Sequence, residues 1–197
     1  IRGRREAELL KWSRMDQESR SRQVFAAHIA ARGRSASLRE REMIAITRER
    51  QPASVHIGVD EIRVAETLED RGVTTVRQKA CGPYNIDLAI GETVAVEILG
   101  GGWHAIPARA AQFEQRARYL FNAGWHLYVV WVDKRRFPLG DLSEDLIAFA
   151  ERSSSDPSLR RRYRVVRGDG EFVAEGSSED DGVAFVPPRR RRQDLRP

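Results

Sequence analysis

The chain has 197 residues, 41% of them hydrophobic: enough for one ordinary core with an appendage, too few for two full domains. Its single cysteine, Cys81, excludes an intrachain disulfide and a multi-cysteine zinc site, and no apolar run reaches the roughly eighteen residues that span a membrane. The net charge of +5 is unevenly spread: residues 1–50 carry 13 Arg/Lys against 7 Asp/Glu, and residues 189–197 carry 5 Arg against 1 Asp, leaving a mildly acidic middle.

Basic ends suit a phosphate-rich partner, because each Lys/Arg–phosphate contact releases condensed counterions. Simple solubilisation by the same residues is an equally open reading. The lone cysteine and charged opening residues, which lack a signal-peptide core, lead us to expect an intracellular, cytoplasmic protein.

Taken in chain order, residues 5–50 read as polar helix threaded with Arg and Ser, broken near Gly33, with no stripe able to build its own core. We expect residues 1–54 to form a basic helical arm, closed by the QPAS linker (51–54). DEIRVAETLEDRG (60–72) reads as a short helix stopped by Gly72. VTTVRQKA reads as a strand, CGP as a turn, YNIDLAI as a second strand, GET as a turn and VAVEIL as a third. GGG and Trp103-His104 follow. Pro107 suits the first turn of a helix striped by Ala110, Phe113, Ala117, Leu120 and Phe121 and ended at Gly124. WHLYVVWV is apolar throughout, as a central strand should be. DLSEDLIAFAER gives a further helix, and RYRVVRGDGEFVAEG a hairpin turning at 168–170. The expected organisation is α/β: a core over 55–152 in the order α-β-β-β-α-β with a mixed sheet, a hairpin extension over 153–185, and a basic tail over 186–197.

The central hairpin has a register that its apolar pattern dictates. Ile86, Leu88 and Ile90 share one face and Val94, Val96 and Ile98 another, so pairing 86 with 98, 88 with 96 and 90 with 94 matches apolar to apolar across a Gly91-Glu92-Thr93 loop. That register sets Asp87 opposite Glu97, with Cβ atoms about 5 Å apart. Two carboxylates so placed repel unless something positive lies between them. Mg²⁺, which takes one or two carboxylates together with phosphate and water, would fit, and so would Mn²⁺. Solvent-facing carboxylates on an amphipathic hairpin are the plainer alternative, against which stand the small neighbours Ala89 and Ala95 and the glycine triplet.

Taken together, Glu66, Gln78, GPYNIDLAI, VAVEILGGGWH and RARYLFNAGWHLYVVWV resemble the PD-(D/E)XK nuclease superfamily, and within it the Vsr-like EDxHD branch seen in some phage and group I intron homing endonucleases; the likeness covers about residues 60–133. The resemblance implies that Asp87 and Glu97 bind metal, with Glu66 as the leading-helix carboxylate supporting the metal or its water. It also implies His104 as general base or transition-state partner and Gln78 as an auxiliary polar residue. Leu99 stands where the superfamily has lysine, as in the EDxHD branch. The branch's last Asp has no counterpart, Phe113 and Ala117 being nearest, and Glu114 is its candidate replacement.

The implied activity is Mg²⁺-dependent hydrolysis of double-stranded DNA by a site-specific homing endonuclease. A restriction-type or mismatch-repair nicking enzyme, and a catalytically inactive DNA-binding protein of the same fold, stay open, as does a homodimer. Arg34, Arg39 and Arg41 in the arm and Arg189 and Arg190 in the tail are the expected DNA contacts. His126, inside an apolar strand, is expected to be structural.

Overall fold

Alternation of apolar residues through 84–99 lays out the middle of the sheet. In this computed structural model, which describes residues 10, 11, 13–31, 34–51, 57–100, 107–132, 139–155 and 161–179, strands β1 (Thr75–Cys81), β2 (Tyr84–Ile90) and β3 (Val94–Gly100) form an antiparallel meander. The β2–β3 register pairs Leu88 with Val96 and Ile90 with Val94 across the three-residue loop, as the apolar pattern requires. Gly82, at φ 54°, begins the tight turn between β1 and β2, and a Cβ there would lie 1.9 Å from the Tyr119 hydroxyl.

Beyond β3 the chain crosses over helix α4 (Pro107–Asn122) to β4 (His126–Val132), then over α5 (Leu139–Ser155) to β5 (Arg162–Arg167), both strands parallel to their predecessor. An antiparallel β6 (Phe172–Ser177) closes a six-stranded mixed sheet in the order β1-β2-β3-β4-β5-β6. The C-terminal hairpin, expected as an appended piece, is therefore the far edge of the same sheet.

Two apolar layers cover the sheet. On one face Phe113, Ala117, Leu120 and Phe121 of α4 pack on Ala89, Ala95, Leu99, Leu127, Val129 and Trp131. The other face carries Val64, Ala65 and Leu68 of α3 (Val59–Glu69) and Leu142, Leu146 and Phe149 of α5, packed on Leu88, Val96, Tyr128 and Val130. Since β3, β4 and β5 are added in one direction, crossover helices on opposite faces give the two crossovers opposite hands, and one departs from the usual right-handed rule.

The remaining helices divide at Ser37/Leu38, where the chain splits into two compact units. In the first, α1 (Gln17–Ala31) is capped by Asp16, whose carboxylate accepts the Ser19 N–H (2.8 Å) and hydroxyl (2.8 Å), while Val24 and Phe25 are exposed. In the second, α2 (Leu38–Arg50) is docked on β1 and β2. Ala45 is buried, its carbonyl accepts from the Asn85 amide (2.9 Å), and Glu49 accepts the Ala80 N–H of edge strand β1 (2.8 Å). Residues 38–50, expected in a separate arm, thus belong to the body. Among the described residues no helix is long and apolar enough to cross a membrane.

Candidate functional site

The centre of interest is a break in the sheet. Arg77 pairs with Leu88 and Lys79 with Ile86, but Gln78 and Asp87 between them do not pair, and the β2–β3 ladder likewise stops at Leu88 and Val96. Gln78 adopts φ 53°, the one positive φ at a non-glycine residue among those described. Such a conformation costs about 1–3 kcal/mol and persists only where the surroundings impose it. Side chains replace the lost backbone bonds: the Asn85 amide donates to the Gln78 carbonyl (2.8 Å), and Asp87 Oδ2 accepts the Ile98 N–H (2.8 Å). Ile86, expected beside Leu88, instead joins the opposite apolar layer, because the break interrupts the alternation.

Into this break come charged groups from both faces. Glu97, on β3, is fully buried, and Arg116 of α4 donates to its Oε1 (2.7 Å) while standing 3.9 Å from Asp87 Oδ1 and bonding the Asn85 carbonyl. From the opposite layer Glu61, on α3, accepts from the Gln78 side-chain amide (3.1 Å), which is how the strained Gln78 is held. Burial, and then the Asp87 charge, push the Glu61 carboxyl up to about 7. Glu97 is raised well above the usual carboxylate range by its burial, against the pull of Arg116 and with Asp87 and Glu61 adding repulsion. Two buried atoms in this group lack a hydrogen-bond partner, Glu97 Oε2 and Arg116 Nε.

The expected residues are only partly brought together. Asp87, Glu97 and Gln78 meet here. Glu66 is exposed, turned about 140° round α3 from Glu61, and Glu61 is the leading-helix carboxylate that reaches the cluster. Glu114 is exposed and paired to Arg118 (2.8 Å) on the outer face of α4, so it supplies no further acid at the break. His104, Arg189 and Arg190 lie outside the described residues. Arg34 and Arg39 are exposed, the first in the N-terminal unit and the second on α2. His126 is buried and its Nδ1 accepts the Arg162 N–H (3.2 Å), a structural role as expected.

Sequence reasoning missed Glu61 and Arg116, although both carried a signal. Glu61 precedes Val64, Ala65 and Leu68 by three, four and seven residues, and Arg116 follows Phe113 by three and precedes Leu120 by four. Each is a charged residue written on the buried stripe of its helix.

Beside the cluster opens a cleft of about 370 Å³, with Arg41 and Arg48 of α2, Gln78, Asn85, Asp87 and Arg116 among its walls. Chemically, the donor set fits a hard divalent cation in one respect: Glu97 Oε2 is a buried acceptor with no donor, beside a second carboxylate. It is not a closed protein cage. Among the described residues no group of three or more His, Cys, Asp or Glu side chains is arranged to hold a metal ion. A cation here would have to complete its shell with water or phosphate oxygens, as Mg²⁺ commonly does. No family profile matches the chain, and neither a curated protein nor a solved structure does.

Proposed function

We propose that the protein is a metal-dependent endonuclease of the PD-(D/E)XK type, in its Vsr-like branch, hydrolysing phosphodiester bonds in DNA. The observation that carries the reading is the convergence of Asp87, Glu97 and Glu61 at a break in the sheet, with an unpartnered buried oxygen on Glu97, beside an arginine-lined cleft. The α-β-β-β-α-β order of the body agrees with it.

In this reading Asp87 and Glu97 Oε2 hold Mg²⁺ or Mn²⁺, which when bound polarises the phosphodiester and lowers the pKa of a water. Glu61, with a carboxyl near 7, can accept or return a proton at neutral pH. Gln78 fixes Glu61, and Arg116 holds Glu97 in place and offsets the charge of the two β-strand acids. His104, four residues beyond the end of β3 in sequence, keeps the role of general base or transition-state partner that the resemblance gives it. Homing, restriction-type and mismatch-repair nicking enzymes would differ in target rather than in this machinery.

One observation favours a second reading. The Arg116 guanidinium already stands between Asp87 and Glu97, so the acids have a counter-charge without metal, as a catalytically inactive DNA-binding protein would need. Incubating wild type and Asp87→Asn with supercoiled plasmid, in Mg²⁺ or EDTA, decides between them. The nuclease reading expects cutting that needs Mg²⁺ and falls at least about 100-fold in Asp87→Asn, a barrier raised by roughly 3 kcal/mol. DNA binding with no cutting in any condition would establish the inactive binder.

A further inference from the structure

We propose that Arg41, Arg48 and Tyr84 form a seat for one nucleotide of an unpaired polynucleotide strand, with its phosphate on the two guanidiniums and its base or sugar on the ring. The idea rests on the nuclease reading only in taking Asp87, which also lines the cleft, as the neighbouring reaction centre.

Helix α2 is built to present these arginines. Arg41, Ala45 and Arg48 follow one another at four and three residues and so share a stripe. Ala45 is buried, its carbonyl bonded to Asn85, and Glu49 one residue beyond Arg48 is tied to β1, so the stripe faces the β1–β2 hairpin. Elsewhere in this body Arg77, Arg116, Arg118, Arg164 and Arg167 are all ion-paired. Among the described residues the Arg41 and Arg48 side chains have neither ion-pair nor hydrogen-bond partner, yet both line the cleft. Arg116, which also lines the cleft, is already committed to Glu97. Two uncompensated guanidiniums converging on one cavity suit a phosphate, which their planar donor arrays bind bidentately.

Tyr84 and Pro83 of the β1–β2 hairpin also line the cleft, with Ile44 between the two arginines on α2, and Tyr84 is fixed by an edge-on packing against Tyr119 at 5.3 Å between centroids. Cations from the helix and an aromatic ring from the hairpin, lining one cleft, complement a nucleotide. A cleft of about 370 Å³ is at the small end of ligand pockets and too small for two paired strands. An unpaired strand can turn its base onto the ring; a stacked duplex cannot.

The test is fluorescence anisotropy in EDTA with a labelled oligonucleotide lacking terminal phosphates, offered single-stranded and fully paired, against wild type, Arg41→Gln/Arg48→Gln, Tyr84→Leu and Tyr84→Phe. Thermal melts confirm that each variant folds. The single strand should bind more tightly than the duplex. The double arginine variant should lose at least tenfold in affinity, and its log–log salt slope should flatten by about 0.7 for each phosphate no longer neutralised. Tyr84→Leu should lose at least about fivefold with the slope unchanged, and Tyr84→Phe should bind like wild type.

Unchanged affinity and slope in the arginine variant would overturn the proposal. Equal duplex affinity that ignores Tyr84→Leu would also overturn it, as would full displacement by equimolar inorganic phosphate, which would mark a free-anion site. Because nothing is cut in EDTA, the seat can stand where the nuclease reading fails: the binding pattern would persist in a protein that never cleaves. The converse outcome, Asp87-dependent cleavage with binding indifferent to Arg41 and Arg48, would overturn the seat and leave the nuclease reading standing.

Discussion

Glu61 shows how much a single stripe position can decide. Its carboxyl is held near 7, above the ordinary 4.5, so the folded protein keeps this proton more tightly than the unfolded chain does. The stability this contributes is fully present below about pH 4.5 and is lost as pH rises toward about 7. In EDTA the melting temperature should therefore fall between those values, and Glu61→Gln should flatten that fall; an unaltered profile in the variant would assign the titration elsewhere. Gln78 poses a related question. Gln78→Gly removes the strain of φ 53° but also the bond to Glu61, so stability should stay within about 1 kcal/mol of wild type while, on the proposed nuclease reading, cleavage drops. Urea melts and plasmid nicking measured on the same preparation separate the two effects. Neither the positive φ nor the broken pairing was legible from residue types, because a polar residue on an edge strand looks the same whether its backbone is extended or left-handed.

At the scale of elements, strands were read well where one face is apolar and poorly where charge mattered. Leu88, Ile90, Val94 and Val96 set the hairpin register unaided, and the seven residues of β4 are all buried. Helix α2 escaped because Arg41, Arg48 and Glu49 make a docked helix look solvated; it is held through one alanine and side-chain-to-backbone bonds rather than an apolar stripe. Removing residues 1–37 should leave the cooperative unfolding of the body intact, whereas removal through Arg50 exposes the β1 edge and should lower its urea midpoint. The far side of the sheet hid a polar network. Tyr128 donates to Asp145 (2.7 Å), Arg164 donates twice to Asp145 (both 2.7 Å) and once to Glu175 (2.6 Å), and its guanidinium lies 5.0 Å from the centre of the Phe172 ring. This joins α5 to β4, β5 and β6 in one unit. Asp145→Ala leaves both the Tyr128 hydroxyl and Arg164 short of an acceptor and should cost about 2–3 kcal/mol by urea unfolding; on the proposed nuclease reading, DNA cleavage at low temperature should be unchanged.

For the whole molecule, the alternation of apolar segments made the mixed α/β architecture legible, while the balance of charge at its centre was not, since Glu61, Asp87, Glu97 and Arg116 come from four separate elements. Three carboxylates face one guanidinium, so the cluster is short of positive charge once the acids ionise. Because Glu61 and Glu97 hold protons more tightly than ordinary carboxylates, a divalent cation must displace protons to enter. Its affinity should therefore rise with pH. A ligand that binds only the folded state stabilises it by about 2.7 kcal/mol at a hundred times its dissociation constant. Saturating Mg²⁺ should thus raise the melting temperature by several degrees at pH 8 and by clearly less at pH 6, and Asp87→Asn should remove the increment at both. If instead Mg²⁺ leaves the melting curve unmoved at pH 8, Arg116 is the permanent counter-charge of these acids, and the cluster serves binding and fold rather than hydrolysis.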